Sequence, residues 1–285
     1  MPFHKILIGF AFSPNLKPNV FEAMRLANFL GAHIYFLHVG LKSTSKEKTV
    51  TEIIYESPIQ LKHLSILWED GNPVKTIQEQ CKKNDIDLLL LGAMQRENMV
   101  KFYMGSIARK LTRNAPCSVL LLIKPSIIRK ASQHVVVNAF ENPQTKATIL
   151  SAFHFGKALK VNKLTLVEEI NRSEVAIDVD DDRSLRQVTL RKEKIKRREL
   201  SRVREILNHI PKDLKEGIKI HSQNIFGTRG YSIGHYAKVV RADLLVMNAA
   251  ENRKGFFERI FPKDLEHILS ELPTDVLIIK SKKNG

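Results

Sequence analysis

An apolar run, Asp87-Leu88-Leu89-Leu90-Leu91, closes on Gly92, and Gly105-Ser106 follows at the head of a helix-period stretch. A glycine at a strand end lets backbone approach a bound group, because no Cβ stands in the way. Gly105-Ser106 would present amides and a hydroxyl to an anion at a helix start, where the helix dipole favours negative charge. The chemistry offered is a phosphate cradle, although a tight turn with an ordinary capping serine has the same spelling. Lys101, Arg109, Lys110 and Arg113 lie in or after the same segment and are placed to add phosphate contacts. Charges of this kind are more often solvated.

A second group of chemistry-bearing residues lies between about Asn171 and Pro211. Asp178 and Asp180-Asp181-Asp182 precede a segment in which Leu185, Val188, Val203, Leu207 and Ile210 share one stripe. Acidic residues at a helix start with basic ones beyond suit the helix dipole, so the pattern predicts one long amphipathic helix. Its other faces carry Arg191, Lys194, Arg197 and Arg198 among further Arg and Lys residues, against Glu193, Glu199 and Glu205. Such a face is usually solvated, and the alternative is that it docks nucleic acid, an anionic membrane surface or an acidic protein. No aromatic platform is interleaved, which argues against stacking of single strands. No catalytic constellation assembles: the histidines are scattered, no metal-ligand spacing occurs, and Gly-x-Ser-x-Gly and Walker sequences are absent. Neither a catalytic residue nor a metal ligand is assigned.

The elements that must position these residues come in two copies. Ile6 to Pro14 lies over Val135 to Pro143 at an offset of 129, which also carries Tyr35 to Val39 onto Leu164 to Glu168. Gly71 then falls on Gly227, Asp87-Leu88-Leu89 on Asp243-Leu244-Leu245, and Gly105 on Phe261, at an offset of 156. The offset grows by 27 residues, so the charged segment is an insertion in the second copy. Short apolar runs such as Lys5 to Phe10, Ile34 to Val39 and Ser118 to Ile123 alternate with amphipathic stretches such as Val74 to Lys83. This is the pattern of parallel strands covered on both faces. The expected fold is α/β: two tandem flavodoxin/Rossmann-like, doubly wound, parallel five-stranded sheets, over residues 1–126 and 133–285, with Pro125 to Ser132 as linker. Ligands of such sheets bind beyond the carboxyl ends of the strands, at the loops after Phe10, Val39 and Leu91.

The 285 residues suit two domains, and 43% hydrophobic with 27% charged residues suits a folded globular chain. The longest apolar runs are far below the roughly 18 residues of a membrane-spanning helix. The N-terminus lacks the regions of a secretory signal, and with two cysteines, read as buried small hydrophobes, a cytoplasmic location is expected. A net charge of +16 favours an anionic partner of some kind.

The ordered set of matches along both copies resembles the universal stress protein family. ATP-binding members carry Gly, two residues, Gly, nine residues, then Gly-Ser or Gly-Thr at the loop occupied here by Gly92 to Ser106. Leu37-His38-Val39, Asp87 to Gly92 and Ala115-Pro116-Cys117-Ser118-Val119 are similar to the family's flanking segments. The resemblance implies a nucleotide pocket formed by Ala11, Val39, Gly92, Gln95, Gly105 and Ser106, with ATP and Mg²⁺ as its ligand. Two of these positions depart from the pattern: Ala11 stands for an Asp on the adenine side, and Gln95 for the second loop glycine. In the second copy Phe140, Asn248, Glu251, Phe261 and Pro262 replace the pattern, so ATP is expected in the N-terminal domain only. The family implies a non-catalytic stress-response regulator with an unidentified protein partner, its two domains forming an internal pseudo-dimer and a homodimer left open.

Overall fold

The structure is a computed structural model that describes residues 3–92, 94–95, 102–103, 105–128, 131–175, 181–249 and 263–280. The first half runs β1 (Lys5–Gly9), α1 (Leu16–Leu30), β2 (His33–Val39), α2 (Thr44–Tyr55), β3 (Leu64–Glu69), α3 (Pro73–Lys83) and β4 (Leu88–Gly92). A short hairpin of β5 (Met94–Gln95) and β6 (Phe102–Tyr103) precedes α4 (Ser106–Asn114) and β7 (Ser118–Leu122). The second half runs β8 (His134–Asn138), α5 (Thr145–Leu159), β9 (Lys163–Asn171), α6 (Asp182–Asn208), α7 (Lys212–Lys215), β10 (Lys219–Gly227), α8 (Tyr231–Val239), β11 (Leu244–Asn248), α9 (Lys263–Glu271) and β12 (Asp275–Ile279). Local chemistry fixes the ends of these elements. At α3 the Asn72 side chain accepts from the amides of Val74 and Lys75, with Pro73 at the first helical position. At the end of α1, Gly31 takes the left-handed conformation (φ 61°) that lets the chain turn into β2.

Each half is a parallel layer, β3-β2-β1-β4-β7 and β10-β9-β8-β11-β12, as expected for a doubly wound fold. The two layers are not separate sheets. β7 and β12 pair antiparallel, with Leu121 opposite Val276, Leu120 opposite Leu277 and Val119 opposite Ile278, and make one ten-stranded sheet. This pairing satisfies two edges that would otherwise present bare amides and carbonyls. Carboxylates at strand starts tie the chain to it. Asp87 accepts from the amides of His4 and Lys5, Asp243 from those of Gln133 and His134, and Asp275 from that of Ile123. Cys81 and Cys117 are both buried in the core on one face of the sheet.

The register corrects the repeat at two places. Gly9 pairs with Leu37 while Asn138 pairs with Val167, so the copies stand 130 apart at β2 and β9, not 129. The added residue is in the turn after α5, where left-handed Lys160 is followed by Val161 and Asn162. His38 therefore corresponds to Glu168, and Val39 to Glu169. Likewise α4 ends at Asn114 and α9 at Glu271, 157 apart. Phe261 and Pro262 lie outside the described residues.

The inserted segment forms the long helix expected, α6, with Asp181 as its cap: the side chain accepts from the Ser184 amide. Asp178 and Asp180 lie outside the described residues. Its inward stripe is not quite the one read from sequence. Val188, Val203 and Ile210 are buried, but Leu185 is 53% exposed. Ile195 and Glu199 complete the buried face instead.

Candidate functional site

Connections from β1 run through β2 to β3 on one side and through β4 to β7 on the other, so the first layer changes direction between β1 and β4. Loops leave in opposite senses there and open a crevice beyond the strand ends. Three of the sequence candidates flank it. Ala11 is exposed after β1, and Val39 and Gly92 are half-buried at the ends of β2 and β4. Beyond the hairpin, Gly105 is the N-cap of α4 (φ −60°, ψ 161°), with no side-chain cap and no acidic residue in the first turn. Among the described residues, the first amides of α4 therefore have no side-chain cap. Ser106 is exposed beside them. A Cβ on Gly92 would come within 3.0 Å of Asn19 Oδ1 on α1, and that oxygen is buried without a hydrogen-bond partner. The side chains of Gln95 and Lys101 lie outside the described residues.

Two expected phosphate contacts are engaged elsewhere. Arg109 and Arg113 both reach Glu266 of α9, linking the two halves on one face of the sheet. Lys110 remains exposed.

On the side where the resemblance implies a carboxylate, the strand ends carry aromatic rings. Phe12 and Trp68 lie nearly parallel (20°) with centroids 6.4 Å apart, and His38 stands edge-on to both at 5.1 and 5.2 Å. Phe10 packs 5.4 Å from His38, whose Nδ1 is 3.1 Å from the Phe10 carbonyl oxygen. Sequence reasoning did not single out Phe10, Phe12 or Trp68. The available signal was an aromatic residue at or just past the ends of β1 and β3.

The second crevice has different chemistry. Phe140 occupies the place of Ala11 and lies under the Arg229 guanidinium, whose carbon is 3.7 Å from the ring centroid. Glu169, in the place of Val39, is buried and accepts from the amides of Gly230 (3.0 Å) and Ile233 (2.8 Å), capping α8. Glu168, in the place of His38, and Glu199 of α6 have side chains only 5% and 2% exposed, and both bind Arg202. Burial, reinforced by Glu199, pushes the Glu168 carboxyl up to about 8 despite the adjoining Arg202. Asn248 replaces Gly92 and donates to Thr145 Oγ1 at 3.4 Å. Its own oxygen, Gln144 Oε1 and Thr148 Oγ1 are buried without partners. Glu168 and Glu169 are the buried acids at this crevice; Glu251 lies outside the described residues.

Of the four arm residues expected to meet an anionic partner, Arg191, Lys194 and Arg197 are exposed. Arg198 is not free: it binds Glu199 at 2.6 Å and reaches Glu174 at 4.0 Å. Among the described residues, no three His, Cys, Asp or Glu side chains are arranged to hold a metal ion, and no helix is long and apolar enough to cross a membrane.

Residues 55–122 match the model of the universal stress protein family. A universal stress protein of Methanocaldococcus jannaschii is 24% identical over 123 residues, covering 36% of this chain and 72% of that protein. Both layers together are similar to a Pseudomonas aeruginosa protein of unknown function, with a TM-score of 0.69 at 15% identity over 98% of this chain and 92% of the other. A universal stress protein from Archaeoglobus fulgidus gives a TM-score of 0.63 at 15% identity, covering 97% of this chain and 98% of its own. These two likenesses show the fold over both halves, and the match to the universal stress protein family lies in the first of them, at residues 55–122.

Proposed function

We propose that this stress-response protein is a non-catalytic cytoplasmic regulator whose N-terminal domain alone binds a nucleotide, ATP with Mg²⁺. The observation that carries this reading is the glycine-capped start of α4, which follows β4 and Gly92 in the chain at the switch point of the first layer. The amides of the first turn of α4 would donate to phosphate oxygens, with Ser106 Oγ as a further donor and the helix dipole favouring the charge. Bound Mg²⁺ would neutralise part of the triphosphate charge. Ala11 supplies no carboxylate to the base or ribose, so recognition there falls to backbone near Val39 and to the rings around Phe12. Glu169 supports restriction of binding to one domain, because it already occupies the amides at the start of α8.

Binding acts by mass action. A ligand at one hundred times its Kd that binds only the folded chain stabilises it by about 2.7 kcal/mol, enough to shift a partner equilibrium if the states differ in affinity. The test is calorimetric titration of nucleotide-stripped protein with ATP and Mg²⁺, using Gly105→Asp as control. Saturable heat in the wild type that disappears in the variant is expected. No heat in the wild type, or full binding by a folded Gly105→Asp chain, contradicts the proposal.

A further inference from the structure

The cations of α6 divide into two sets that the sequence does not separate. Arg202 turns inward to Glu168, Glu199 and the Ala139 carbonyl, Arg198 is held by Glu199, and Lys196 pairs with Glu193 at 3.0 Å. Val188, Ile195, Glu199, Val203 and Ile210 fix the face turned to the protein. Arg183, Arg186, Lys194, Arg197 and Arg204 fall opposite them at 100° per residue, with Arg191 on the flank, and all six are exposed. None of the six has an ion-pair or hydrogen-bond partner among the described residues. Of the exposed acids on this helix beyond its first turn, Glu193 is already neutralised by Lys196, leaving Glu205, which falls between Lys194 and Arg191 at 100° per residue.

We infer that this outward face of α6 docks the phosphodiester backbone of a nucleic acid duplex without reading its sequence. Three observations choose this occupant. Five of the six cations are arginines, whose planar fork binds phosphate oxygens in pairs where lysine acts as a point charge. They extend from Arg183 to Arg204, about 31 Å at 1.5 Å per residue, close to one turn of duplex at roughly 34 Å. The face also lacks what other occupants need. No aromatic side chain occurs in α6, so single strands find no stacking platform. The exposed leucines Leu185, Leu190 and Leu200 fall on separate lines of the helix among the cations. They form no continuous apolar stripe to sink into a lipid surface. The packing of α6 on β9 and β10 keeps the cations in a fixed row, so less side-chain and backbone order is lost on docking.

Contact with four to six phosphates predicts a slope of log K against log salt of about −4 to −5, since each contributes about 0.9. The experiment is fluorescence anisotropy of a labelled 20-base-pair DNA of arbitrary sequence with the full chain, between 50 and 200 mM salt. Affinity should fall roughly 100- to 2,000-fold across that range. Arg186→Gln with Arg197→Gln should weaken binding for all sequences and reduce the slope by about 2. Lys75→Gln with Lys82→Gln removes the same charge from exposed positions on α3 and should leave the slope unchanged. Circular dichroism of both double variants verifies that the helices are retained. Absence of duplex binding overturns the inference, as does an equal loss in the two double variants, which would assign binding to net charge alone. Phosphatidylserine vesicles are the remaining arm: adsorption that needs Arg186 and Arg197 while DNA binding does not would make the face a lipid surface instead.

Discussion

Arg202→Met tests the physical reasoning behind the second domain. The Arg202 guanidinium binds Glu199 at 2.8 Å, Glu168 and the Ala139 carbonyl, joining α6 to the ends of β8 and β9. Methionine keeps much of the side-chain volume and removes every one of those donors. Stripping one partner from a buried ion pair costs about 3–5 kcal/mol, because the remaining charge is left without compensation. The lower end applies here, since Arg198 stays on Glu199 and Glu168 already tends to hold a proton. About 3 kcal/mol corresponds to a fall in Tm of roughly 6–12 °C, at 2–4 °C per kcal/mol for a unit of 150–250 residues. Urea unfolding followed by far-ultraviolet circular dichroism measures the loss. Adding Glu168→Leu and Glu199→Met to the variant should recover most of it, because the stranded acids are then gone. A loss below about 1 kcal/mol, within the range of an exposed pair, would refute the claim that this cluster anchors α6.

Glu168 also sets a pH dependence. Its carboxyl titrates near 8 when folded, against an ordinary value of 4.5, so between these values the folded chain keeps a proton that the unfolded chain has lost. Its contribution is full below about pH 4.5 and declines as pH rises through 8. The stability of the wild type relative to Glu168→Gln should therefore fall from pH 5 to pH 8, and a pH-independent difference would contradict it. Cys81 and Cys117 are buried, and the hydrogen bond with the neighbouring Cys117 thiol, together with burial, pushes the Cys81 thiol upward. Neither should react with a thiol reagent near pH 7.5 in native protein, whereas both should react in denaturant; prompt native labelling would contradict the packing. Gly92→Ala places a Cβ 3.0 Å from Asn19 Oδ1, so ATP affinity should fall with little change in Tm, measured by calorimetry and thermal denaturation.

The repeat was legible because parallel strands buried on both faces leave unbroken apolar runs, such as Asp87 to Leu91 and Asp243 to Met247. The one-residue step at Asn162 was not. A single insertion in a turn leaves Leu164-Thr165-Leu166 apolar enough to match in either register. The antiparallel seam was hidden for a similar reason: Ser118–Leu122 and Asp275–Ile279 read as buried strands whatever lies beside them. In α6 the helix is plain from the pattern, but nothing in residue type separates Glu199 and Arg202 from the solvated charges around them. Glu199 lies one turn beyond Ile195 and one before Val203, so its place on the apolar stripe was the signal available. The site was half legible. Gly92, Gly105 and Ser106 announce themselves by type and spacing, while Phe12, His38 and Trp68 come together only once three parallel strands are aligned.

Hydrogen exchange with and without ATP and Mg²⁺ tests the central claim most directly, because it reports where in the chain a ligand acts. Added protection is predicted in the segments that flank the first crevice, residues 8–19, 88–92 and 105–112, with none at residues 138–148, 244–249 or 263–272. Protection in the second domain, or none in either domain at saturating ATP, would contradict a nucleotide site confined to the first.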